Sequence, residues 1–207
     1  LTMTDSLRSA PEVPVWIRGL IFDCDGTLAD SLPLHYAAWQ EAFAAQGLPC
    51  PLDFLLRHNG KPTDLIVALY NAEFGRNLDV AEFTADKERR TYARLLQARP
   101  LEPAAGLARQ YYRRLPLAVV SGSNRANVER TLQAIGLHEL FTVVLTADEG
   151  LPPKPAPDLF LEAARRLRVA PDACQVFEDA DSGLEAARRA GMLATDVRPW
   201  LVGPTLS

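Results

Sequence analysis

Short apolar runs and longer amphipathic stretches alternate along most of the chain. Runs of strand length cover residues 15–22, 117–120, 141–145 and 174–177. Helical stretches lie between them, for example over residues 124–135 and 182–190, and these two are followed by Gly136 and Gly191, as helices commonly are. Strands that are apolar on both faces and alternate with helices indicate a parallel α/β sheet.

The segment between the first two strands has a different pattern. It predicts three helices, over residues 34–46, 62–74 and 80–98. A crossover between parallel strands needs about 10–12 residues, so this block is far longer than a connection requires. We therefore predict an inserted helical domain over residues 32–102 and an α/β core over residues 15–31 and 103–207.

The composition is that of an ordinary globular protein, with 207 residues, 48% hydrophobic and 23% charged, and a formal net charge of −4. Mild acidity gives no long-range attraction to nucleic acid or anionic membranes, and no apolar run approaches the roughly 18 residues that span a bilayer. Cys24, Cys50 and Cys174 form no C-x-x-C pair, which suits reduced thiols in the cytoplasm. We expect a cytoplasmic protein without nucleic-acid or membrane partners, and a loose leader over residues 1–14.

Carboxylates, a hydroxyl and a lysine follow the predicted strands, at Asp23, Asp25, Ser121, Lys154, Glu178 and Asp179. Ligands of open α/β sheets bind at the carboxyl ends of the strands, so these groups are expected to converge. Two carboxylates about 4 Å apart repel by roughly 4 kcal/mol at an effective dielectric of 20, so such a cluster requires a cation. Hard oxygen ligands favour Mg²⁺. Any one aspartate alone fits a turn or a helix N-cap equally well, but the whole set at strand ends does not.

Several common motifs are excluded by the residues present. Asp23-x-Asp25-x-Thr27 begins like a calcium-binding EF-hand loop, but Leu28 stands where that loop needs glycine and Leu34 where it needs glutamate. The sequence contains no G-x-G-x-x-G, P-loop, G-x-S-x-G or H-E-x-x-H pattern. Dinucleotide-binding enzymes, P-loop nucleotidases, the common serine hydrolases and the zincin metalloproteases are thereby set aside.

Four segments together resemble the four motifs of the haloacid dehalogenase-like superfamily, in their order and in their position at strand ends: residues 22–28, 120–122, 154–155 and 177–181. The helical insertion after the first motif resembles the cap of the β-phosphoglucomutase-like branch. Within that branch, residues 30–35, 59–63 and 176–197 are similar to bacterial sugar phosphatases of the fructose-1-phosphate phosphatase type. The resemblance implies an α/β fold with a Rossmann-like parallel sheet core and an inserted α-helical cap domain.

The same resemblance implies a role for each acidic residue. Asp23 is the implied nucleophile, which attacks phosphorus and forms an aspartyl-phosphate. Asp25 is the implied acid and base, and its pKa is expected to be raised by neighbouring carboxylates so that it can protonate the leaving oxygen and then deprotonate water. Mg²⁺ is implied between Asp23, the main-chain carbonyl of Asp25 and Asp179, with Glu178 near it or reaching it through water.

The remaining core motifs imply a phosphate site. Its implied ligands follow the second strand and are Ser121, Gly122, Ser123 and Asn124. Lys154 is implied to balance the charge of the nucleophile and the phosphate. Asp181 has two interpretations, since it could orient Lys154 or cap the helix predicted to begin near residue 182.

The cap is expected to select the leaving group and to exclude bulk water. Its candidate substrate-binding residues are His35, Lys61 and Lys87. Mutases of this branch carry an arginine in the glycine-containing cap turn, whereas Lys61 offers a point charge without bidentate geometry. Lys87 lies in a charged run and could instead face solvent, and Trp39 could simply pack in the cap core.

These residues lead to one main hypothesis and two alternatives. The main hypothesis is a Mg²⁺-dependent phosphatase that hydrolyses a small sugar phosphate through an aspartyl-phosphate, and the small Thr27, common in phosphatases, favours hydrolysis. The second is a sugar phosphate mutase of the β-phosphoglucomutase type. The third is a catalytically silent, metal-binding relative, against which the complete motif set argues. We expect a small phosphorylated molecule as the partner, and a monomer.

Overall fold

The strands form one parallel sheet. The computed structural model describes residues 11–201, and within them five strands pair in the order β3-β2-β1-β4-β5. The strands are β1 (Gly19–Phe22), β2 (Leu117–Val120), β3 (Val143–Leu145), β4 (Cys174–Glu178) and β5 (Leu193–Asp196). Phe22 pairs in register with Val119 on one side and Phe177 on the other. The carboxyl ends of β2 and β4 therefore flank that of β1.

Of the five α-helices that the structure describes between β1 and β2, the first four form the cap. They are α1 (Leu32–Ala45), α2 (Leu52–Arg57), α3 (Thr63–Phe74) and α4 (Val80–Arg94), and a 3-10 turn over Leu95–Gln97 continues the last. They bury an apolar cluster of their own, with the aromatic members Trp39, Phe43, Phe54, Tyr70 and Phe83. The ring centroids of Phe43 and Phe83 are 4.9 Å apart. Because the cap has its own core, the predicted insertion of a helical cap is confirmed.

The other helices cover the two faces of the sheet. They are α5 (Ala104–Tyr111), α6 (Arg125–Ala134), α7 (Asp158–Leu167) and α8 (Asp181–Arg189). Phe22 packs in a cluster with residues of α5 and α6, and Ile21 packs in a second cluster with residues of α7 and α8. Neighbouring strand residues point to opposite faces, so β1 supplies both clusters. The predicted α/β, Rossmann-like core is confirmed.

The ends of several elements differ from the prediction. β1 begins at Gly19 rather than at residue 15, because the Ile17 amide donates to the Pro14 carbonyl in a turn that leaves Trp16 exposed. β3 begins at Val143 rather than at residue 141. The prediction does not include the helix α2, which is only six residues long, or the strand β5, whose side chains are partly exposed.

Part of the predicted leader lies against the sheet. Pro11 is buried, and the Glu12 carbonyl accepts a hydrogen bond from Gln175 Nε2 at 3.0 Å. Residues 1–10 of that leader lie outside the described residues, and the exact domain limits stay a prediction. Within residues 11–201 no helix is long and apolar enough to cross a membrane.

Phe22→Ala is expected to lower the free energy of unfolding by about 3–5 kcal/mol. The Phe22 ring is fully buried and stacks on Phe177 with the centroids 4.9 Å apart. Leu96→Ala is the control, because Leu96 is 63% exposed and substitutions at such sites change stability by less than about 0.5 kcal/mol. Urea unfolding followed by circular dichroism measures both variants. Equal midpoints would contradict the central position of Phe22.

Candidate active site

The central strands bring functional side chains to one edge of the sheet. Asp23 follows β1, Ser121 follows β2, and Glu178 ends β4. Because β1 lies between β2 and β4, these residues are neighbours although they are far apart in sequence. Lys154, in the loop between β3 and α7, reaches the same edge and donates to the carbonyl at the end of β2. The side chains converge as the strand-end pattern predicts.

The Lys154 ammonium lies between two carboxylates. Its Nζ donates to Asp23 Oδ1 at 2.7 Å, to Glu178 Oε1 at 2.6 Å and to the Val120 carbonyl at 3.1 Å. Burial disfavours the charged form of Lys154, but the charges of Asp23 and Glu178 outweigh burial and raise the pKa of Lys154. The ammonium therefore keeps its charge and holds both carboxylates in place.

Asp23, Glu178 and Asp179 form an acidic cluster in which one oxygen of each lies within 4.8 Å of the others. Burial raises the pKa of Asp23 well above its usual range, against the effect of Lys154 and together with that of the other two carboxylates. Burial and the charge of Glu178 raise the pKa of Asp179 to about 7. Three carboxylates thus face the single ammonium of Lys154, which cannot balance all of their charge. Hard oxygen atoms with excess negative charge suit a divalent cation such as Mg²⁺.

Asp25 faces a different set of partners. Its Oδ1 accepts from Ser31 Oγ at 2.6 Å, and its Oδ2 accepts from Ser123 Oγ at 2.7 Å. His35 Nε2 lies 3.2 Å from Asp25 Oδ1. Burial raises the pKa of Asp25, but the neighbouring His35 and the hydroxyl donors Ser31 and Ser123 lower it by more, so the pKa lies below its usual range. The expected rise in this pKa is wrong for this arrangement, because donors rather than carboxylates surround Asp25.

The turn after Asp25 holds Asp179. Thr27 Oγ1, which is fully buried, donates to Asp179 Oδ1 at 3.1 Å. Gly26 has a φ of +90°, and a Cβ at this position would overlap the Asp179 carboxylate, so the turn requires glycine. Asn59 Nδ2 of the cap makes a long contact of 3.5 Å with Asp179 Oδ2. Residues of both the core and the cap therefore contact Asp179.

The cap closes over the site. The Gly60 carbonyl occupies the space that a side chain at position 122 would need, so the cap turn packs directly on Gly122. A cavity of about 60 Å³ remains between cap and core. Its lining includes core residues Asp23, Asp25, Ser121, Gly122, Ser123 and Asp179 and cap residues His35, Trp39, Lys61 and Lys87.

The three cap candidates all line this cavity. Lys87 is 2% exposed, with its Nζ 3.2 Å from His35 Nδ1 and 5.2 Å from the centroid of the Trp39 ring. The solvent-facing interpretation of Lys87 is therefore wrong. Lys61 Nζ lies 2.8 Å from His58 Nδ1, and burial lowers the pKa of Lys61. Trp39 packs in the cap core, which is the alternative interpretation of this residue, and it also lines the active-site cavity.

Two residues of the core motifs contact different groups from those that the resemblance implies. Asn124 is the residue before α6, where its Oδ1 accepts from the Asn127 amide at 2.9 Å, and it lines a neighbouring cavity. Asp181 is largely exposed and pairs with Arg198, whose Nη2 lies 2.9 Å from Asp181 Oδ1. Glu178, not Asp181, is the second carboxylate that holds Lys154.

Ser31 is a site residue that the sequence analysis does not identify. It directly precedes α1, where a serine is usually taken as a helix cap. Its hydroxyl donates to Asp25 instead, from a fully buried position. The sequence shows a serine six residues after Asp25, but a serine before a helix is normally read as a cap, so its hydrogen bond to Asp25 is not predicted.

The arrangement suits the transfer of a group to a carboxylate. Asp23 offers a buried carboxylate that Lys154 orients, and the carboxylate of Asp25 follows two residues later in the same turn. Ser121 and the residues after it lead into the N-terminus of α6, a position at which helices bind anions.

Comparison with known proteins agrees with this geometry. Residues 17–191 match the model of the haloacid dehalogenase-like hydrolase family. The chain is 40% identical over 184 residues to the fructose-1-phosphate phosphatase YqaB of Escherichia coli strain K12, which covers 87% of this chain and 96% of that protein. Two crystal structures of CbbY from Rhodobacter sphaeroides are also similar, one in complex with phosphate and one, of a mutant, with xylulose-(1,5)bisphosphate. Each matches with a TM-score of 0.77 and 27% identity over 86% of this chain and 84% of its own.

The family match covers most of the chain, including both the strand-end motifs and the inserted helices, and the relative in Escherichia coli is similar over nearly its whole length. The chain therefore belongs to the haloacid dehalogenase-like hydrolase family.

Proposed function

We propose that this protein is a Mg²⁺-dependent phosphatase that hydrolyses a small sugar phosphate through an aspartyl-phosphate on Asp23. The observation that carries the proposal is the buried Lys154 between Asp23 and Glu178, with Asp25 beside them in a separate set of donors. This arrangement supplies a nucleophile, a balancing cation and a group for proton transfer at one edge of the sheet.

In the first step, an Asp23 oxygen attacks phosphorus in line with the leaving sugar oxygen. The phosphorus–oxygen bond to the sugar breaks, and Asp25 supplies a proton to the leaving oxygen. In the second step, Asp25 takes a proton from water, the water oxygen attacks phosphorus, and the bond between phosphorus and Asp23 breaks. Lys154 holds Asp23 Oδ1 at 2.7 Å throughout and offsets part of the charge that Asp23 and the phosphoryl group bring together.

The acidic cluster fits a magnesium ion. Its oxygens are hard ligands within 4.8 Å of one another, and these three carboxylates face the single ammonium of Lys154. Asp23, Asp179 and the main-chain carbonyl of Asp25 would hold the ion. Glu178, which already accepts from Lys154 and from the Ala180 amide at 2.8 Å, would reach it through water. When bound, the ion supplies positive charge that lowers the repulsion between substrate phosphate and Asp23.

Asp25 must change its protonation state during this cycle. Its lowered pKa makes it a carboxylate in the closed arrangement, which is the form that accepts a proton from water. For the first step Asp25 needs a proton, which it regains from water in the second step of each cycle. The hydroxyls of Ser31 and Ser123 orient the carboxylate in both forms.

The loop after β2 would bind the phosphoryl oxygens. Ser121 and Gly122 line the cavity together with Asp23, and the Ser123 amide donates to Ser121 Oγ at 3.1 Å, which fixes the loop. The loop leads into α6, whose N-terminal amides and dipole favour an anion. Asn124 would act mainly by capping α6, rather than by touching phosphate, because its Oδ1 is taken by the Asn127 amide.

The cap supports a small polar substrate. The closed cavity of about 60 Å³ is far below the roughly 300–1,000 Å³ of ligand sites, so the cap would open to admit substrate and close to exclude water. His35, Lys61 and Lys87 offer hydrogen bonds to sugar hydroxyls, and Trp39 offers an apolar face. The substrates named for the relatives, fructose 1-phosphate for YqaB and a bound bisphosphate for CbbY, are of this class.

A cytoplasmic location and a monomeric state remain part of the proposal. Cys24, Cys50 and Cys174 are all unpaired thiols in the structure, which supports a reducing compartment. Burial raises the pKa of each of these thiols, so none is set up as a reactive thiolate.

Phosphate release from a panel of sugar phosphates, including fructose 1-phosphate and β-glucose 1-phosphate, tests the proposed function. Release from one or a few sugars is expected with Mg²⁺, lost in a chelator and restored by the metal. Conversion of β-glucose 1-phosphate into the 6-phosphate without phosphate release would make the protein a mutase. Full turnover in chelator would remove the metal from the proposal.

Asp23→Asn is expected to lower turnover by at least about 10³-fold, because the amide cannot act as the nucleophile. The fold should be retained, since Lys154 keeps its contact with Glu178 and one of three crowded carboxylates is neutralised. Asp30→Asn is the matched control, because Asp30 is exposed and lies in the same segment. Initial rates and urea midpoints are measured for both. Turnover of Asp23→Asn within tenfold of wild type would contradict the nucleophile assignment.

Asp25→Asn is expected to separate the two steps. A sugar alcohol leaves slowly without a proton, whereas nitrophenolate needs none, so turnover of sugar phosphates should fall far more than the first turnover of 4-nitrophenyl phosphate. Loss of the base should also slow hydrolysis of the intermediate, giving a burst of nitrophenolate of about one equivalent per enzyme. Stopped-flow absorbance measures the burst. Wild-type steady-state rates on sugar phosphates would show that Asp25 is not the acid and base.

A further inference from the structure

One carboxylate of the cap accepts hydrogen bonds from both domains. Glu88 lies on α4, next to Lys87, with its side chain 18% exposed. Its Oε1 accepts from Lys87 Nζ at 3.0 Å and from the Thr63 hydroxyl, both in the cap. Its Oε2 accepts from Asn124 Nδ2 at 2.9 Å and from Asn127 Nδ2, both in the core. One oxygen of the carboxylate therefore accepts hydrogen bonds from the cap, and the other accepts them from the core.

The core partners of Glu88 belong to the start of α6. Asn124 precedes the helix, and Asn127, in its first turn, is 2% exposed. This helix directly follows residues 121–123, which line the active-site cavity. A negative side chain near a helix N-terminus is favoured by the helix dipole. Glu88 thus connects the cap to the helix that begins at the proposed phosphate loop.

The cap partner Lys87 leads to the proposed acid and base. Lys87 Nζ, which donates to Glu88, lies 3.2 Å from His35 Nδ1, and His35 Nε2 lies 3.2 Å from Asp25 Oδ1. The Lys87 side chain is 3% exposed, and a buried ammonium needs an anionic partner. Glu88 is that partner, so its position determines where Lys87 can place its charge beside His35.

Glu88 also borders a second cavity at the boundary between cap and core. This cavity measures about 510 Å³, and Glu88 and Asn124 contribute to its lining. Thr63 and Gly122 line both this cavity and the active-site cavity. The second cavity has room for several water molecules. The contacts of Glu88 with Thr63 and Asn124 therefore lie at the edge of that space, which Lys154 also lines.

We propose that Glu88 is a positioning residue that latches the cap closed on α6, and that only the latched form sets Lys87 and His35 beside Asp25 and keeps water out. The positioning role rests on the proposed function, because it concerns Asp25 as the acid and base. The contact that holds the cap to α6 is present without substrate and does not depend on that function. A residue that merely stabilised α4 within the cap would need Lys87 and Thr63 but not the core asparagines.

Exchanging the donor and the acceptor in the hydrogen bond between Asn127 and Glu88 tests the latch. Asn127→Asp sets two carboxylates against each other, while an acidic residue in the first turn still suits α6. Glu88→Gln loses the anion and turns an amide donor towards the donors of Asn124 and Asn127. In the double variant, the amide introduced at position 88 can donate to the carboxylate introduced at position 127, so the hydrogen bond is restored in the opposite sense. Glu82→Gln is the matched control, because Glu82 is exposed on the same helix.

Amide hydrogen exchange without substrate measures the opening of the cap, at about pH 8, where the two carboxylates do not share a proton. Each single variant should exchange about tenfold faster or more over residues 59–63 and 121–127, since a buried charge-assisted contact is lost. The double variant should return to within about threefold of wild type, and Glu82→Gln should not change. Unchanged exchange in the single variants, or a double variant as fast as either, would overturn the latch.

Kinetics separate the latch from the phosphatase proposal. In an active phosphatase, kcat/KM for the preferred sugar phosphate should fall about tenfold or more in each single variant, and the double variant should be more active than Glu88→Gln, although Lys87 still lacks its anionic partner. Faster exchange with unchanged kcat/KM would overturn the positioning role of Glu88. If the sugar phosphate panel shows no hydrolysis, the proposed function fails while the exchange experiment still decides whether Glu88 holds the cap to α6.

Discussion

Lys154 carries its charge with no exposed side-chain surface, between the carboxylates of Asp23 and Glu178. Removing an ammonium from water costs several kcal/mol, and the cost is offset only where partners are close and well oriented. Both partners stand at strand ends that the sheet holds side by side, since Phe22 pairs with Phe177 in register. The site therefore depends on the sheet, and a shift in the register of β1 and β4 would leave a buried charge unpaired.

Two aspartates of one turn have opposite electrostatic surroundings. Asp23 lies among carboxylates and its pKa is raised, whereas Asp25 faces hydroxyls and His35 and its pKa is lowered. Different surroundings are how a site assigns different tasks to like groups. The partners of Asp25 come partly from α1 and, through Lys87, from α4 of the cap. Closure of the cap thus affects Asp25, the proposed proton-transfer group, while Lys154 of the core holds Asp23, the proposed nucleophile.

The sequence predicts the core of this site well because strand ends are a local signal. The apolar runs before Asp23, Ser121 and Glu178 predict strands, and parallel strands bring their carboxyl ends together. Cap contacts have no such signal. Glu88 lies in a charged run that is typical of a solvated helix face, and its burial depends on how α4 packs against α6. Likewise, the lowered pKa of Asp25 follows from Ser31 and Ser123, whose approach only the folded turn determines.

The proposed mechanism requires that a phosphoryl group resides on Asp23 during turnover. Quenching the enzyme with acid during steady-state turnover of its sugar phosphate, and mapping the peptides by mass spectrometry, locates the group directly. We predict a phosphorylated peptide in which the modified residue is Asp23, with none in Asp23→Asn, and with more of it in Asp25→Asn when 4-nitrophenyl phosphate, whose leaving group needs no proton, is the substrate. Turnover without a covalent intermediate, or a phosphoryl group on another residue, would contradict the mechanism.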